Sequence, residues 1–249
     1  MRWWGRHEVS GAGLRARVGA TTLHCEHGPN EWVIRWVRDG EPGDTTVELG
    51  PGEPPEDGEV VRAVVNEVGD TLELGPRLAD RSVVARPVTP LRLPVGQRVA
   101  LHVGSPLWIV IRLPDGVELA ELPLVVPPET WFGPSTVEGE LCYASRTHAA
   151  ADLSEMPVRP NRAVTRVTLI NRGKTAVDVE RLRLPVPRLR LGLDEASGRL
   201  VTEALEMERG EDEEATVRVR ELPAGAEVLA APREVARDSW RHKLGALWA

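Results

Sequence analysis

Short apolar runs separated by turn-forming residues are the feature that most constrains the fold of this chain. In the segment 32–38, Trp32, Ile34 and Trp36 occupy alternate positions, which is the period of a strand with one buried face. Segments rich in Pro and Gly, such as 51–58, separate the runs, and no helical period is visible before the C-terminus. Strands repeated at intervals of roughly 8–12 residues predict an all-β fold of sandwich-like domains.

The predicted strands fall into two groups, and Pro127-Pro128 lies between them. The first group is 32–38, 45–49, 60–65, 71–74, 82–88, 98–103, 107–113 and 118–126, and the second is 138–146, 163–171, 176–184, 189–193, 199–208 and 216–221. We therefore predict two β-sandwich-like domains, 1–126 and 127–232. Within the second, a turn at 172–174 predicts that 163–171 and 176–184 form a hairpin.

A short amphipathic helix is predicted at the C-terminus, in a third segment, 233–249. Ala236, Trp240, Leu244 and Trp248 repeat every four residues, and charged residues lie off this stripe. The prediction places the helix over 234–248, packed on its own sandwich, with docking to a partner or to a membrane surface as the alternatives.

Composition excludes several classes of function. With 249 residues and a net charge of -7, the chain lacks the basic footprint that non-specific nucleic-acid binding requires. No apolar run is long enough to span a bilayer, and no secretory leader is visible. The two cysteines do not form a disulfide framework, so we predict reduced thiols in a cytoplasmic protein.

The segment 131–164 holds the only Phe, the only Tyr and one of the two Cys residues. If its central part is extended, Glu140, Cys142, Arg146 and His148 share one strand face. Within one straight strand, Cys142 and His148 lie roughly 20 Å apart, too far for a nucleophile and its base. Two interpretations stay open, a buried structural thiol and a polar pocket. The predicted ligand-binding residues are Trp131, Glu140, Tyr143, Arg146, His148 and Arg159, and no catalytic residue is predicted.

The same region carries a family resemblance. Its motifs are F-G-P at 132–134, G-E-L-C-Y at 139–143, P-x-R-P at 157–160 and V-E-R-L at 179–182. In these motifs the chain resembles a prokaryotic, mainly archaeal, family of domains of unknown function. The resemblance implies an all-β body with a C-terminal tail and no assigned catalytic residues. It also implies a loose association with small mechanosensitive channels, so such a channel is one possible partner.

A second cluster, His24-Cys25-Glu26-His27, combines residue types that ligate zinc or copper. No second Cys/His pair follows at ligand spacing, and in a strand His24 and Glu26 face away from Cys25 and His27. We predict a solvated strand end here, with no metal and no cofactor.

Tryptophan and arginine supply the remaining candidates. An exposed Trp on a sandwich can stack on a sugar ring, whereas a buried Trp fills the core; the candidates are Trp32, Trp36, Trp108 and Trp131. Arginines on neighbouring strands can align into an anion-binding face; the candidates are Arg159, Arg162, Arg166, Arg181, Arg183, Arg188 and Arg190. The carboxylates of 206–214 match no calcium loop and predict a solvated hairpin tip.

These observations favour a non-catalytic binding or regulatory module whose partner is a protein or a small anionic ligand. One alternative is an enzyme, with or without a metal, that uses the segment Glu140 to His148. The other is a carbohydrate-binding module, which an exposed Trp would favour.

Overall fold

The structure, a computed structural model, describes residues 2–41, 43–133, 135–147, 150–211, 214–235 and 239–243; residue 214 and the last five are described by their backbone. Within these residues the chain forms β-strands and two short 3-10 turns, which confirms the predicted all-β, sandwich-like fold. The chain divides into two compact units made of discontinuous segments. The first comprises 1–77, 106–126 and 159–161, and the second 78–105, 127–158 and 162–249.

The strands are β1 (Gly5–Glu8), β2 (Leu14–Val18), β3 (Thr21–His27), β4 (Glu31–Arg38), β5 (Val47–Pro51), β6 (Glu59–Val64), β7 (Thr71–Leu78), β8 (Val83–Pro87), β9 (Leu91–Leu93), β10 (Arg98–Arg112), β11 (Glu118–Pro123), β12 (Glu129–Phe132), β13 (Glu140–Thr147), β14 (Arg162–Asn171), β15 (Val177–Val179), β16 (Leu182–Leu184), β17 (Leu191–Asp194), β18 (Arg199–Thr202), β19 (Leu205–Arg209), β20 (Glu214–Val219), β21 (Glu227–Ala230) and β22 (Ser239–Lys243). The 3-10 turns are Leu153–Glu155 and Val186–Arg188.

The first unit contains a five-stranded antiparallel sheet in the order β5-β2-β3-β4-β6. A second sheet contains β1, β7, the 106–112 half of β10, and β11. On β4 the alternation seen in the sequence is present, because Trp32 and Ile34 are fully buried and Trp36 nearly so. Leu23 and Cys25 on β3 lie opposite Trp36 and Ile34 and are buried with them.

β3 is buried on both faces over most of its length, and this requires a glycine on the neighbouring turn. His24 is fully buried on the face opposite to Cys25, and its Nε2 lies 3.0 Å from the carbonyl of Ala12. Gly13 adopts a φ of 78°, and a Cβ there would overlap the His24 ring. A side chain at Gly13 would therefore strain the backbone and displace the imidazole.

The second unit contains three sheets. β12, β13, β8 and β16 form a mixed sheet in that order, in which β13 and β8 are parallel. β15 and β9 form a two-stranded antiparallel sheet. In the third sheet, β14 pairs with β10 on one edge and, in parallel, with β18 and β19 on the other. β18 leads on to β17 and then β21, and β19 leads on to β20 and then β22.

Two local predictions are wrong. Residues 239–243 of the predicted helix 234–248 form β22, which pairs antiparallel with β20; residues 236–238 and 244–249 lie outside the described residues. A spacing of four is a multiple of two, so the stripe that suggests a helix equally fits one face of a strand. The hairpin of 163–171 with 176–184 also does not form, because β15 pairs with β9 and β16 with β8.

Replacing the buried Trp32 tests the core of the first unit. Trp32→Ala should lower the free energy of unfolding by about 3–5 kcal/mol, because it removes a large buried ring and leaves a cavity. Val64→Ala, at an 83% exposed position on the edge strand β6, should change it by less than about 0.5 kcal/mol. Urea denaturation measures both, and equal losses would contradict the assignment of Trp32 to the core.

Candidate functional site

The second unit carries an open groove of about 1010 Å³. Residues of β10, β14, β18 and β19 line it, together with the end of β20 and the residues that follow. Its basic side chains are Arg98, His102, Arg166, Arg190 and Arg220, and its acidic ones are Glu203, Glu206 and Glu221. Its apolar residues are Leu153, Val164, Val201, Ala204, Leu205, Val219, Leu222 and Pro223, and Thr168 and Thr202 complete the lining.

Strand alternation explains how β14 contributes to the groove. Val164, Arg166 and Thr168 project to one side, whereas Thr165 and Val167 project to the other and are fully buried. Arg166 is the exposed residue in the middle of an otherwise largely buried strand. A charged group is thus held on a rigid element, which favours a defined orientation.

β10 adds a second basic row beside Arg166. The backbone hydrogen bond from Asn171 N to the carbonyl of Gln97, 3.0 Å long, sets the antiparallel register. Counting along the two strands from this bond places His102 opposite Arg166. The His102 Nδ1 lies 3.3 Å from the carbonyl of Ala150, which orients the ring.

Arg98 and Arg166 are both exposed, and neither forms an ion pair or side-chain hydrogen bond with any residue that the structure describes. Arg190, in the same groove, is paired. The Glu203 side chain is 6% exposed; its carboxylate forms an ion pair with the Arg190 Nε at 3.0 Å and accepts a hydrogen bond from the Arg190 backbone N at 2.9 Å. The groove therefore contains two guanidinium groups that have no counter-charge among the described residues, beside others that have one.

Arg220 is another groove arginine that has a counter-charge, the carboxylate of Glu206. This carboxylate accepts from Arg220 Nη2 at 2.7 Å and from Arg218 Nη1 at 3.3 Å. Burial raises the pKa of the Glu206 carboxyl, but the hydrogen bonds and charges of these two arginines outweigh burial, so its pKa lies below the ordinary value of 4.5. Glu206 is an anion near neutral pH, and its charge is balanced by the ion pairs with Arg220 and Arg218.

The described lining of the groove is richer in arginine side chains than in nucleophilic ones. Among the described residues, its lining includes no Cys or Ser nucleophile and no carboxylate hydrogen-bonded to His102. Apolar residues line much of it, beside the charged side chains.

The structure separates the residues predicted to bind a ligand. Glu140 and Arg146 lie on one face of β13, and Tyr143 and Trp131 lie on the opposite face of the same sheet. Arg159 belongs to the first unit, and His148 lies outside the described residues. Glu140 lines a small cavity of about 160 Å³ in the second unit.

Glu140 belongs to a tightly bonded cluster with Arg183 and Cys142. Arg183 donates to both carboxylate oxygens, with Nη2 to Oε2 at 2.7 Å and Nε to Oε1. The Cys142 Sγ lies 3.3 Å from Oε1. Burial and then the adjacent Glu140 charge raise the pKa of the Cys142 thiol to about 12. A protonated thiol is a poor nucleophile, so this geometry disfavours cysteine catalysis.

Tyr143 and Trp131 are also held in place. The Tyr143 hydroxyl donates to Asp80 at 2.9 Å, and the Arg81 guanidinium lies 5.4 Å from the centre of its ring. Burial and then Asp80 raise the pKa of Tyr143 to about 12, so its hydroxyl stays protonated. The Trp131 Nε1 donates to the carbonyl of Ser135 at 2.8 Å.

The four tryptophans considered for sugar stacking differ in exposure. Trp32, Trp36 and Trp108 are buried, whereas 43% of Trp131 is exposed. Trp131 is therefore the candidate that a sugar ring could reach.

His24, Cys25 and His27 do not come together around one point. The register of β3 places Cys25 and His27 on one face and His24 on the other. Among the described residues, no group of three His, Cys, Asp or Glu side chains could hold a metal ion. Burial raises the pKa of the Cys25 thiol to about 12, which disfavours the thiolate that a metal needs.

Sequence reasoning found part of the groove and missed the rest. Arg166 and Arg190 belong to the arginine set that the sequence marks as an anion-binding face, and both line the groove. Arg98 and His102 were missed, although their even spacing on β10 places them on one face. The glutamates of β19 were assigned only to a solvated tip.

A family model described as "Protein of unknown function (DUF432)" matches residues 3–246, which confirms the resemblance to a family of unknown function. Comparison with curated proteins and with solved structures found no match. In the part of the chain that the structure describes, no helix is long and apolar enough to cross a bilayer.

Thiol alkylation tests the protonated state of both cysteines. Since a pKa of about 12 in place of 9.0 lowers the thiolate fraction about a thousandfold, iodoacetamide should label the native protein far more slowly than the urea-unfolded protein. A Cys25→Ala variant reports on Cys142 separately. Fast labelling of Cys142 in the native state would contradict the buried thiol and favour the enzyme.

Arg183→Met tests the cluster through pH. The pKa of Glu140 is lower in the folded protein than its ordinary value of 4.5, because the Arg183 hydrogen bonds and charge outweigh the effect of burial. The Glu140–Arg183 pair therefore stabilises the folded state at pH values above 4.5, and this stabilisation is lost as the pH falls through the pKa of folded Glu140. Arg183→Met should lower the free energy of unfolding by about 1–2 kcal/mol near neutral pH. This loss is smaller than that expected for a fully buried pair, because 40% of the Glu140 side chain is exposed.

The difference in the free energy of unfolding between wild type and Arg183→Met should then become smaller on acidification, because Glu140 becomes protonated. Urea unfolding at neutral and at acid pH measures it, and Arg62→Met, which breaks the exposed pair with Glu31, is the control. A loss that is the same at both pH values would show that Arg183 stabilises by packing alone.

Proposed function

We propose that this chain, which belongs to the DUF432 family of proteins of unknown function, is a non-catalytic module that binds a small organic anion in the groove of its second unit. The observation that carries the proposal is the pair Arg98 and Arg166. Both line one groove, and neither has a counter-charge among the described residues. Guanidinium groups recognise carboxylate, sulfonate and phosphate oxygens through two parallel hydrogen bonds.

The charge balance of the chain makes such a pair informative. Acidic residues outnumber basic ones, 38 to 31, so carboxylates are plentiful. Arg190 and Arg220 each have one within 3.0 Å in the same groove. Arg98 and Arg166, which meet no carboxylate in the part of the chain that the structure describes, are thus available to an anion from solution.

The apolar lining supports an organic rather than an inorganic anion. Val164, Val201, Leu205 and Leu222 line the same groove as the arginines. Ligand sites commonly combine an apolar wall with a few polar groups that fix orientation. A ligand with a hydrocarbon or aromatic body and one anionic group would use both parts.

The two described cysteines and Glu140 are not activated for catalysis, which fits a binding role better than an enzyme. The raised pKa of Cys142 keeps its thiol protonated, and Glu140 is engaged by Arg183. We also propose that the module acts in the cytoplasm. Cys25 and Cys142 are buried free thiols, which suits a reducing compartment. A regulatory role would follow if the bound anion alters a partner protein's access to the second unit.

Anilinonaphthalene sulfonate, an aromatic sulfonate, is a suitable first probe. Native protein should bind it at one site, and Arg98→Met and Arg166→Met should each weaken binding about tenfold, or about 1.4 kcal/mol, through the loss of a charged hydrogen bond. Fluorescence titration measures the dissociation constants, and added salt should raise them in wild type more than in the variants.

Two controls distinguish binding in the groove from non-specific electrostatic and hydrophobic binding of the probe. Arg92→Met removes the same charge at an exposed position paired with Asp178, outside the groove lining, and should leave binding unchanged. Phenylnaphthylamine, which lacks the sulfonate, should bind wild type and the two groove variants alike. If Arg98→Met and Arg166→Met bind the sulfonate as wild type does, the proposed function is wrong.

A further inference from the structure

A separate row of arginines crosses one face of the sheet β12-β13-β8-β16. β13 and β8 are parallel, and in their register Arg146 lies directly opposite Arg86. Both side chains are exposed and share one face of the sheet. Neighbouring strands lie about 4.8 Å apart, and like charges placed opposite each other destabilise a sheet.

Arg181 extends this row on the other side of Arg86. β16 runs antiparallel to β8 with Leu182 opposite Ala85, so Arg181 lies one residue beyond this ladder, on the side of Arg86. Its Cζ lies 5.4 Å from the centre of the Phe132 ring. A cation–π contact of this kind holds the guanidinium in place without neutralising its charge.

The three arginines lack a carboxylate partner. Among the described residues, none of the three forms an ion pair, and the polar contact found for Arg86 is from Nη2 to the Thr130 hydroxyl at 3.4 Å. By contrast Arg183, on the same sheet face, is satisfied by Glu140. The row therefore concentrates three positive charges in a chain whose net charge is negative.

We infer that Arg86, Arg146 and Arg181 form a phosphate-binding site, distinct from the groove, whose ligand is free phosphate or the phosphate of a small ester. A phosphate dianion has several acceptor oxygens, so it can receive hydrogen bonds from more than one guanidinium at once. Its double charge relieves the repulsion between Arg86 and Arg146. The Thr130 hydroxyl lies at the same place and can donate to a remaining oxygen.

The row fits phosphate better than the groove does. The Arg86 and Arg146 side chains are exposed, so a small, strongly charged and hydrated ion can reach them. The inference does not rest on the proposed function, because the two sites share no residue.

Isothermal titration calorimetry with inorganic phosphate at low salt tests the site. Wild type should bind one phosphate, and the double variant Arg86→Gln/Arg146→Gln should bind at least tenfold more weakly. Arg181→Gln should weaken binding by a smaller factor. Arg92→Gln, an exposed arginine paired with Asp178, and the groove variant Arg98→Met/Arg166→Met should bind phosphate as wild type does.

Thermal unfolding gives a second readout that a merely structural row would not produce. Without phosphate, Arg86→Gln should melt at or above the wild-type temperature, because the substitution removes the repulsion from Arg146. Phosphate should raise the melting temperature of wild type and not that of the double variant, because it binds the folded state.

Three outcomes would overturn the inference: no phosphate binding by wild type, an equal loss in Arg92→Gln, or a loss confined to the groove variant. Vesicles of phosphatidylcholine with and without phosphatidic acid distinguish the source of the phosphate. If wild type binds the acidic vesicles but not free phosphate, the row is a membrane contact and the proposed ligand is wrong.

Discussion

The pairing of β14 along both of its edges is the constraint on which the second unit depends. β10 lies on one side, and the parallel strands β18 and β19 lie on the other. A strand bonded on both edges and covered on one face reaches solvent only through its other face. Arg166 projects there, and the same pairing brings His102 and Glu206 to the groove. The position of the candidate site thus follows from sheet geometry rather than from a mobile loop.

Ion pairing divides the arginines into two kinds. Arg183, Arg190 and Arg220 each meet a carboxylate at hydrogen-bond distance. Arg98 and Arg166 in the groove, and the row on the β13 face, meet none among the described residues. An exposed charge without a partner contributes little to folding.

Burial removes most of the reactive chemistry that the side chains offer. The thiols of Cys25 and Cys142 have a pKa of about 12, which disfavours the thiolates needed for catalysis or metal binding. His24 is enclosed by the turn at Gly13, whose lack of a side chain makes room for the ring. Arg98 and Arg166 in the groove, and Arg86 and Arg146 on the β13 face, remain accessible to solvent, and their positive charge favours an anionic ligand.

The sequence by itself determined the fold class, the faces of single strands and the family. The alternation of Trp32, Ile34 and Trp36 is local, so it survives whatever the strand pairs with. Strand partners are not local, and only the tertiary structure decided that β15 and β16 pair with β9 and β8. The four-residue spacing of Trp240 from its apolar neighbours fits both the helical period and the strand period. Only the pairing with β20 determines that residues 239–243 form a strand. Arg166 could be marked from sequence as an anion-binding candidate, but Arg98 and His102 join it only because β10 and β14 are hydrogen-bonded across a long stretch of intervening chain.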